Sequence, residues 1–179
     1  MTGTWLRVTT EGNAIDFLEK AAEFVGRSDD YKWKWVSISL HAALYAFAIC
    51  AIRGTGPDRV AVYRKEKGKQ VRRLIGFPEA LKRCQQEEYM HQYVHSKVLK
   101  LRKDEEWAIQ KISETLRNSF QHYLPKFWSI EVSGMPRIVK DVSRVIRFLA
   151  LESGNLPLLE ESGENRIRRA LAILQQAKE

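Results

Sequence analysis

The chain has few of the residues that build disulfide frameworks. Of its 179 residues only two are cysteines, Cys50 in an apolar run and Cys84 in an amphipathic one. A small secreted domain held by disulfides needs more cysteines at regular spacings. The first sixteen residues, MTGTWLRVTTEGNAID, also lack the basic region and apolar core of a secretory signal. We therefore expect two buried, reduced thiols and a cytosolic (cytoplasmic) protein.

The four histidines are too few and too scattered to predict a metal site. Only His91 and His95 have the four-residue spacing that places two ligands on one helical face, with Glu87 and Glu88 one turn earlier. A third ligand is not evident, and the H-E-x-x-H pattern is absent. The chain also lacks a P-loop, a dinucleotide fingerprint and the nucleophile elbow of serine hydrolases. We expect neither a metal nor another cofactor.

No hydrophobic run is long enough to predict a membrane span. The longest uninterrupted apolar run, residues 42–52, has 11 residues, whereas a spanning helix needs about 20. We expect the surrounding segment, residues 32–53, to be the central helix of a bundle, because it is apolar on nearly every side. His41 lies within this segment, where a core or interface role is more common than catalysis.

Acidic residues are fewer than basic ones. Lys and Arg number 30 against 22 Asp and Glu, which gives a formal net charge of +8. A basic balance of this size favours an anionic partner, and nucleic acid before an acidic protein surface. With 44% hydrophobic residues the chain has enough apolar material to fold around a core.

Helical periodicity covers most of the chain. Apolar residues at three- and four-residue steps predict helices near residues 13–27, 32–53, 77–94, 104–124, 137–151 and 163–179. Asn13 and Asp104 are expected caps, and Pro125 should end the fourth helix. We therefore predict an all-α, up-and-down bundle of four to six helices, forming a single domain over residues 1–179.

The segment 58–75 interrupts the helical pattern with a basic insertion. Short apolar flanks could pair as a hairpin around Lys67 and Gly68, and a flexible loop fits the polar centre equally well. Its cations are candidate contacts to a nucleic-acid backbone, although a merely solvated loop would have the same composition. These candidate RNA-binding residues are Arg64, Lys65, Lys67, Lys69, Arg72 and Arg73.

Three polar residues near the end of the fourth helix have side chains that suit one class of reaction. In LRNSFQHYLP, Arg117 and His122 are five residues apart, and Asn118 is four residues before His122. Five residues of α-helix rotate a side chain through about 500°, so Arg117 and His122 would lie about 140° apart. They could cooperate if the helix were distorted or if two copies met. They could also be a solvated polar stripe.

The chemistry of these three side chains matches cleavage of RNA. A histidine can move a proton from a ribose 2′-hydroxyl near neutral pH. An arginine can hold a phosphate whose negative charge grows in the transition state. Neither step requires a metal.

The sequence resembles the HEPN family, and in particular a subgroup found on plasmids and in bacteria. RNSFQH, residues 117–122, matches the family signature of arginine, a polar residue, three further residues and histidine. The segments 33–55, 77–84 and 122–139 also resemble that subgroup. The resemblance as a whole extends over about two thirds of the chain, and the N-terminus, the basic insertion and the last helix are less similar.

The resemblance implies a helical bundle that forms a homodimer, with the two motifs facing each other across a cleft. It further implies metal-independent endoribonuclease activity, in a toxin or phage-defence role beside a nucleotidyltransferase-type antitoxin. Its catalytic residues would be His122 in proton transfer, Arg117 at the scissile phosphate and Asn118 as a hydrogen-bonding assistant. An inactive HEPN-like module that sequesters a protein or nucleotide, and a purely structural dimer, are the alternatives.

Overall fold

Seven helices and one antiparallel hairpin make up the part of the chain that the structure, a computed structural model, describes: residues 4–54, 56–121, 129–157 and 159–178. The helices are α1 (Thr10–Val25), α2 (Lys32–Arg53), α3 (Phe77–Cys84), α4 (Glu87–Met90), α5 (residues 103–121), α6 (residues 135–152) and α7 (Glu161–Gln175). The strands are β1 (Ala61–Glu66) and β2 (Lys69–Leu74), preceded by a 3₁₀ turn, Pro57–Val60.

The chain is mostly helical, with 63% helix and 7% strand. The prediction of an all-α bundle with a loop or small hairpin insertion is confirmed in part, since the chain is mostly helical and contains one hairpin. The prediction of four to six helices was one too low. Of the two structures proposed for residues 58–75, the hairpin is the one observed. The HEPN-like arrangement of the helices stays a prediction.

Helix α2 lies at the centre of the molecule. It packs against α1, α3, α5 and α6, and buried residues lie on several of its sides, including Val36, Ser39, His41 and Ile49. By length and composition alone α2 could cross a membrane, but 72% of its most apolar stretch is buried inside the molecule. The predicted bounds of this helix, and its central position, are confirmed.

Helix α1 begins three residues before its predicted start. Thr9 is the N-cap, and its Oγ1 accepts a hydrogen bond from the backbone N–H of Gly12 at 2.9 Å. Asn13, the predicted cap, lies inside the first turns. A threonine hydroxyl can accept this hydrogen bond, although threonine ranks below asparagine as an N-cap.

The predicted helix over residues 77–94 is broken into α3 and α4. The backbone carbonyl of Cys84 accepts from the N–H of Leu99, and the carbonyl of Met90 accepts from Asn155 Nδ2 at 2.9 Å. These hydrogen bonds to distant segments replace the continuation of the helix. His91 and His95 consequently lie beyond α4, exposed and outside any helix, so their four-residue spacing does not place them on one helical face.

Helices α5 and α6 each contain a π-helical segment. In α5 an α-helical start, Lys103–Gln110, is followed by π-helical Lys111–Arg117 and a final α-helical turn, Asn118–Gln121. In α6 the π segment is Phe148–Glu152, at the C-terminal end. The N-cap of α5 is Arg102, one position before the helix, rather than Asp104. Residues 122–128, which include Pro125, lie outside the described residues.

The last helix and the cysteines agree largely with expectation. Helix α7 is shifted by about three residues from the predicted span and packs on α1 and α6. Cys50 and Cys84 are both buried free thiols, as predicted. Burial raises the pKa of each thiol to about 12, so both are protonated at neutral pH.

Candidate functional site

Arg117 is the last residue of the π-helical segment of α5, and Asn118 opens the α-helical turn that follows. Both side chains are half-buried. Arg117 Nη1 donates a hydrogen bond to Asn118 Oδ1 at 3.0 Å. The carboxamide thus occupies one of the five guanidinium N–H groups and restricts where the others point. The predicted pair of Arg117 and Asn118 is brought together by the structure.

A serine side chain bonds to the backbone within the π-helical turns before Arg117. The hydroxyl of Ser113 donates to the carbonyl of Ile109 at 2.6 Å, and that carbonyl is the one an α-helix would pair with the backbone N–H of Ser113. Ile112 and Leu116, one turn apart, are fully buried. The wide turns therefore keep two apolar anchors in the core while they change the direction of the residues that follow. Such π segments are frequent at functional sites.

His41 of α2 lies beside this segment, buried with 8% of its surface exposed. Its ring packs edge-on against Phe77 of α3, with the ring centroids 4.8 Å apart. Burial, and secondarily the charge of Arg117, lower the pKa of His41 to about 4. The imidazole is therefore neutral at physiological pH, and Arg117 has no second cation at this position.

The burial of His41 agrees with the core role expected from its apolar surroundings. Its proximity to Arg117 was missed, because the two residues are 76 positions apart and nothing local in the sequence connects them. The one available signal was a titratable residue inside an otherwise apolar helix. Such a residue has to be compensated or kept neutral.

Tyr45, one turn beyond His41 on α2, fixes the base of the hairpin. Its hydroxyl donates a hydrogen bond to the backbone carbonyl of Ile75, and its ring packs edge-on on Phe77 at 5.9 Å. The N–H of Ile75 in turn donates to the carbonyl of Val60 at 3.0 Å, which closes the base of the hairpin. Phe77 thus contacts both His41 and Tyr45. The hairpin projects from the helical core beside this cluster of three aromatic rings.

The hairpin carries most of the excess positive charge. Residues 58–75 hold seven cationic side chains and two carboxylates, a formal charge of +5 within a chain of +8. All six predicted RNA-binding residues, Arg64, Lys65, Lys67, Lys69, Arg72 and Arg73, are exposed on it. The hairpin is therefore a cationic arm. The base of this arm lies beside Phe77, which also contacts His41.

His122, the third predicted site residue, lies outside the described residues. The distortion of α5 ends at Arg117, and residues 118–121 turn as a regular α-helix. The distortion therefore includes Arg117, the first residue of the motif, and the alternative that it brings Arg117 and His122 together stays a prediction. A cleft shared by two copies stays a prediction.

Among the described residues, no group of three or more His, Cys, Asp and Glu side chains could hold a metal ion. Glu87, Glu88, His91 and His95 are all exposed at the surface.

No family model, curated protein or solved structure matches this chain. Its function is therefore inferred from the side chains around Arg117 and from the motif in residues 117–122.

Proposed function

We propose that the protein is a metal-independent endoribonuclease of the HEPN type, in which Arg117 holds the scissile phosphate. The observation that carries the proposal is the placement of the Arg117–Asn118 pair. The guanidinium donates to a carboxamide at 3.0 Å, at the end of a π-helical segment and within electrostatic reach of a neutral His41. A held cation in a half-buried site stabilises developing negative charge better than a freely hydrated one.

In the proposed reaction the ribose 2′-oxygen attacks the neighbouring phosphorus. A bond forms between O2′ and phosphorus, and the bond between phosphorus and O5′ breaks. The proton of the 2′-hydroxyl passes to His122, the family's proton-transfer histidine, and the departing O5′ takes a proton from water. His122 then returns its proton to the hydroxide that remains, which regenerates the neutral histidine. The products are a 2′,3′-cyclic phosphate and a 5′-hydroxyl. DNA has no 2′-hydroxyl and should resist.

Arg117 and Asn118 have separate roles in this scheme. Arg117 contacts the nonbridging phosphate oxygens, whose charge increases as the 2′-oxygen attacks. Asn118 is a positioning residue, since its carboxamide oxygen already accepts from Arg117 Nη1. The other guanidinium N–H groups can then bind phosphate without first being ordered, which lowers the entropic cost of the transition state.

The homodimer belongs to the proposal. Two motifs facing each other across a groove would bring Arg117 of one protomer near His122 of its partner, which a regular helix does not do within one chain. The toxin or phage-defence role, and restraint by a nucleotidyltransferase-type antitoxin, follow from the same resemblance.

The proposal is tested by measuring kcat/KM on single-stranded RNA in EDTA for the wild type and three site variants. We expect Arg117→Ala and His122→Ala to lower kcat/KM by about 10²- to 10³-fold, the cost of losing one transition-state contact. Asn118→Ala should cost about tenfold, since a hydrogen bond to a charged group is lost.

The matched control is Arg169→Ala. Arg169 is an exposed arginine on α7, and its charge acts on Glu19 of α1, so its removal should leave kcat/KM unchanged. Wild-type dimer that binds RNA and leaves it intact would contradict the nuclease proposal and favour a binding module. Cleavage that His122→Ala does not reduce would show that the motif is not the active site.

A further inference from the structure

The hairpin has little apolar material to hold it together. On one of its faces Tyr63, Lys65, Gln70, Arg72 and Leu74 are all exposed. On the other face, Val62 and Val71 are only partly buried. An isolated two-stranded hairpin is marginally stable in water, so polar contacts must contribute to keeping it folded.

Two of its six predicted RNA-binding cations supply such contacts. Arg73 makes a two-pronged ion pair with Glu66 of the opposite strand, with N–O distances of 2.8 and 3.1 Å. Arg72 Nε lies 3.4 Å from Asp58 Oδ1, and the same oxygen accepts from the hydroxyl of Tyr63 at 2.7 Å. Arg72 and Arg73 therefore connect β2 to β1 and to the turn before it.

The other four cations, Arg64, Lys65, Lys67 and Lys69, form no ion pair with any residue in the described ranges. They surround the tip of the hairpin, where Lys67 and Gly68 have φ values of +47° and +81°. Positive φ at both central residues is the requirement of a type I′ turn. The turn holds Lys67 at the end of the arm in a conformation that lysine rarely adopts.

We propose that the six cations divide into two sets: Arg72 and Arg73 brace the hairpin, while Arg64, Lys65, Lys67 and Lys69 bind the phosphates of single-stranded RNA. This inference rests on the proposed function for its choice of ligand. The anchor of the hairpin base by Tyr45 supports it, because Phe77 lies against both Tyr45 and His41. RNA held along the arm would therefore approach the contacts around Arg117.

The test measures the salt dependence of binding to a short single-stranded RNA with 2′-O-methyl groups. This probe keeps every phosphate but cannot be cut by 2′-oxygen attack, so binding is measured apart from cleavage. The tip variant is Arg64→Gln, Lys65→Gln, Lys67→Gln and Lys69→Gln combined. The brace variant combines Arg72→Gln with Arg73→Gln.

A matched control removes one arginine and three lysines that are exposed elsewhere. It combines Arg169→Gln with Lys82→Gln, Lys97→Gln and Lys100→Gln, so its net charge equals that of the tip variant. A difference between the tip variant and this control therefore reports position rather than total charge.

Each phosphate contact contributes about 0.7 to the slope of log binding constant against log salt for a single strand. We expect the tip variant to lower the slope by about 2 to 3, and the control and brace variants each to lower it by less than about 0.7. The brace variant should instead speed amide hydrogen exchange in residues 61–74, which the tip variant should leave nearly unchanged.

Two results would overturn the inference. A tip variant whose slope matches that of the control would show that the arm does not bind RNA. A brace variant that loses as much slope per cation as the tip variant would show that the cations do not divide. Normal cleavage with either result would contradict this inference and leave the nuclease proposal intact. Normal binding by a wild type that does not cut RNA would contradict the nuclease proposal alone.

Discussion

His41 shows how strongly the interior of this protein changes the chemistry of a single residue. Its imidazole is buried against Phe77 and lies within electrostatic reach of Arg117, whose guanidinium cannot lose its charge under physiological conditions. Both effects disfavour the protonated ring, so the pKa falls from 6.5 to about 4. Because His41 is neutral, it adds no positive charge near Arg117, and the guanidinium supplies the positive potential there.

This pKa predicts how the stability of the protein depends on pH. The unfolded chain binds a proton at His41 below about pH 6.5, while the folded protein resists protonation until about pH 4. The stability linked to His41 is therefore complete above pH 6.5 and is lost as the pH falls towards 4. Between pH 7.5 and 4.5 this loss should be about 2 kcal/mol.

Denaturant unfolding at the two pH values measures that loss. In His41→Gln the decrease in stability between pH 7.5 and 4.5 should be smaller than in the wild type by about 2 kcal/mol. His91→Gln is the matched control, because His91 is exposed, and its decrease should equal that of the wild type. Equal decreases in all three proteins would show that His41 is not held neutral.

For individual residues, part of the candidate site could be predicted from the sequence. Arg117 and Asn118 were predicted from a short motif, and their contact follows from adjacency. His41 was assigned only a core role, since its nearness to Arg117 depends on how α2 packs against the π segment. The division of the hairpin cations was also hidden, because ion pairs between strands depend on register and on side-chain rotamers.

The π-helical segment of α5 is the element that determines where Arg117 lies. An α-helix through the same residues would turn Arg117 to another side of α5, because each residue adds about 100° of rotation. The hydroxyl of Ser113 donates to the carbonyl of Ile109 at 2.6 Å within this segment, and we expect this bond to favour the wider turns. Local hydrogen bonds of this kind compete with the α-helical pattern.

Replacing Ser113 by alanine should therefore separate stability from activity. Alanine has the higher helix propensity, and the free carbonyl can return to α-helical pairing, so we expect unfolding to cost about 0.5 kcal/mol more. Cleavage of RNA should fall severalfold as Arg117 is displaced. Thermal unfolding and kcat/KM measure the two effects, and a less stable variant with full activity would contradict this account of the segment.

Helix positions could be predicted where the apolar periodicity was strong. The prediction failed where hydrogen bonds from residues distant in sequence end a helix. The bounds of α2 were predicted correctly because nearly every side of it is buried. The break between α3 and α4 was missed because its causes, the hydrogen bonds from Leu99 and Asn155, come from segments remote in sequence. The hairpin remained one of two alternatives, since six polar residues without helical period fit a loop as well.

The whole molecule combines a helical core with a cationic arm. Its core is one cluster to which all the helices contribute, while the hairpin segment holds +5 of the +8 charge. Charge concentrated on one exposed element increases the rate of encounter with a polyanion. In the proposed complex, RNA bound along the arm would reach Arg117 and Asn118 near the end of α5, because the base of the arm lies close to that helix end.

The most direct test of the central claim is the chemistry of the cut ends. Purified protein is incubated with single-stranded RNA in EDTA, and the products are analysed by mass spectrometry. The account predicts 2′,3′-cyclic phosphate and 5′-hydroxyl ends from the wild type and none from His122→Ala, with the dimer preserved in both. Products ending in a 3′-hydroxyl, or cutting that requires a divalent metal ion, would contradict it.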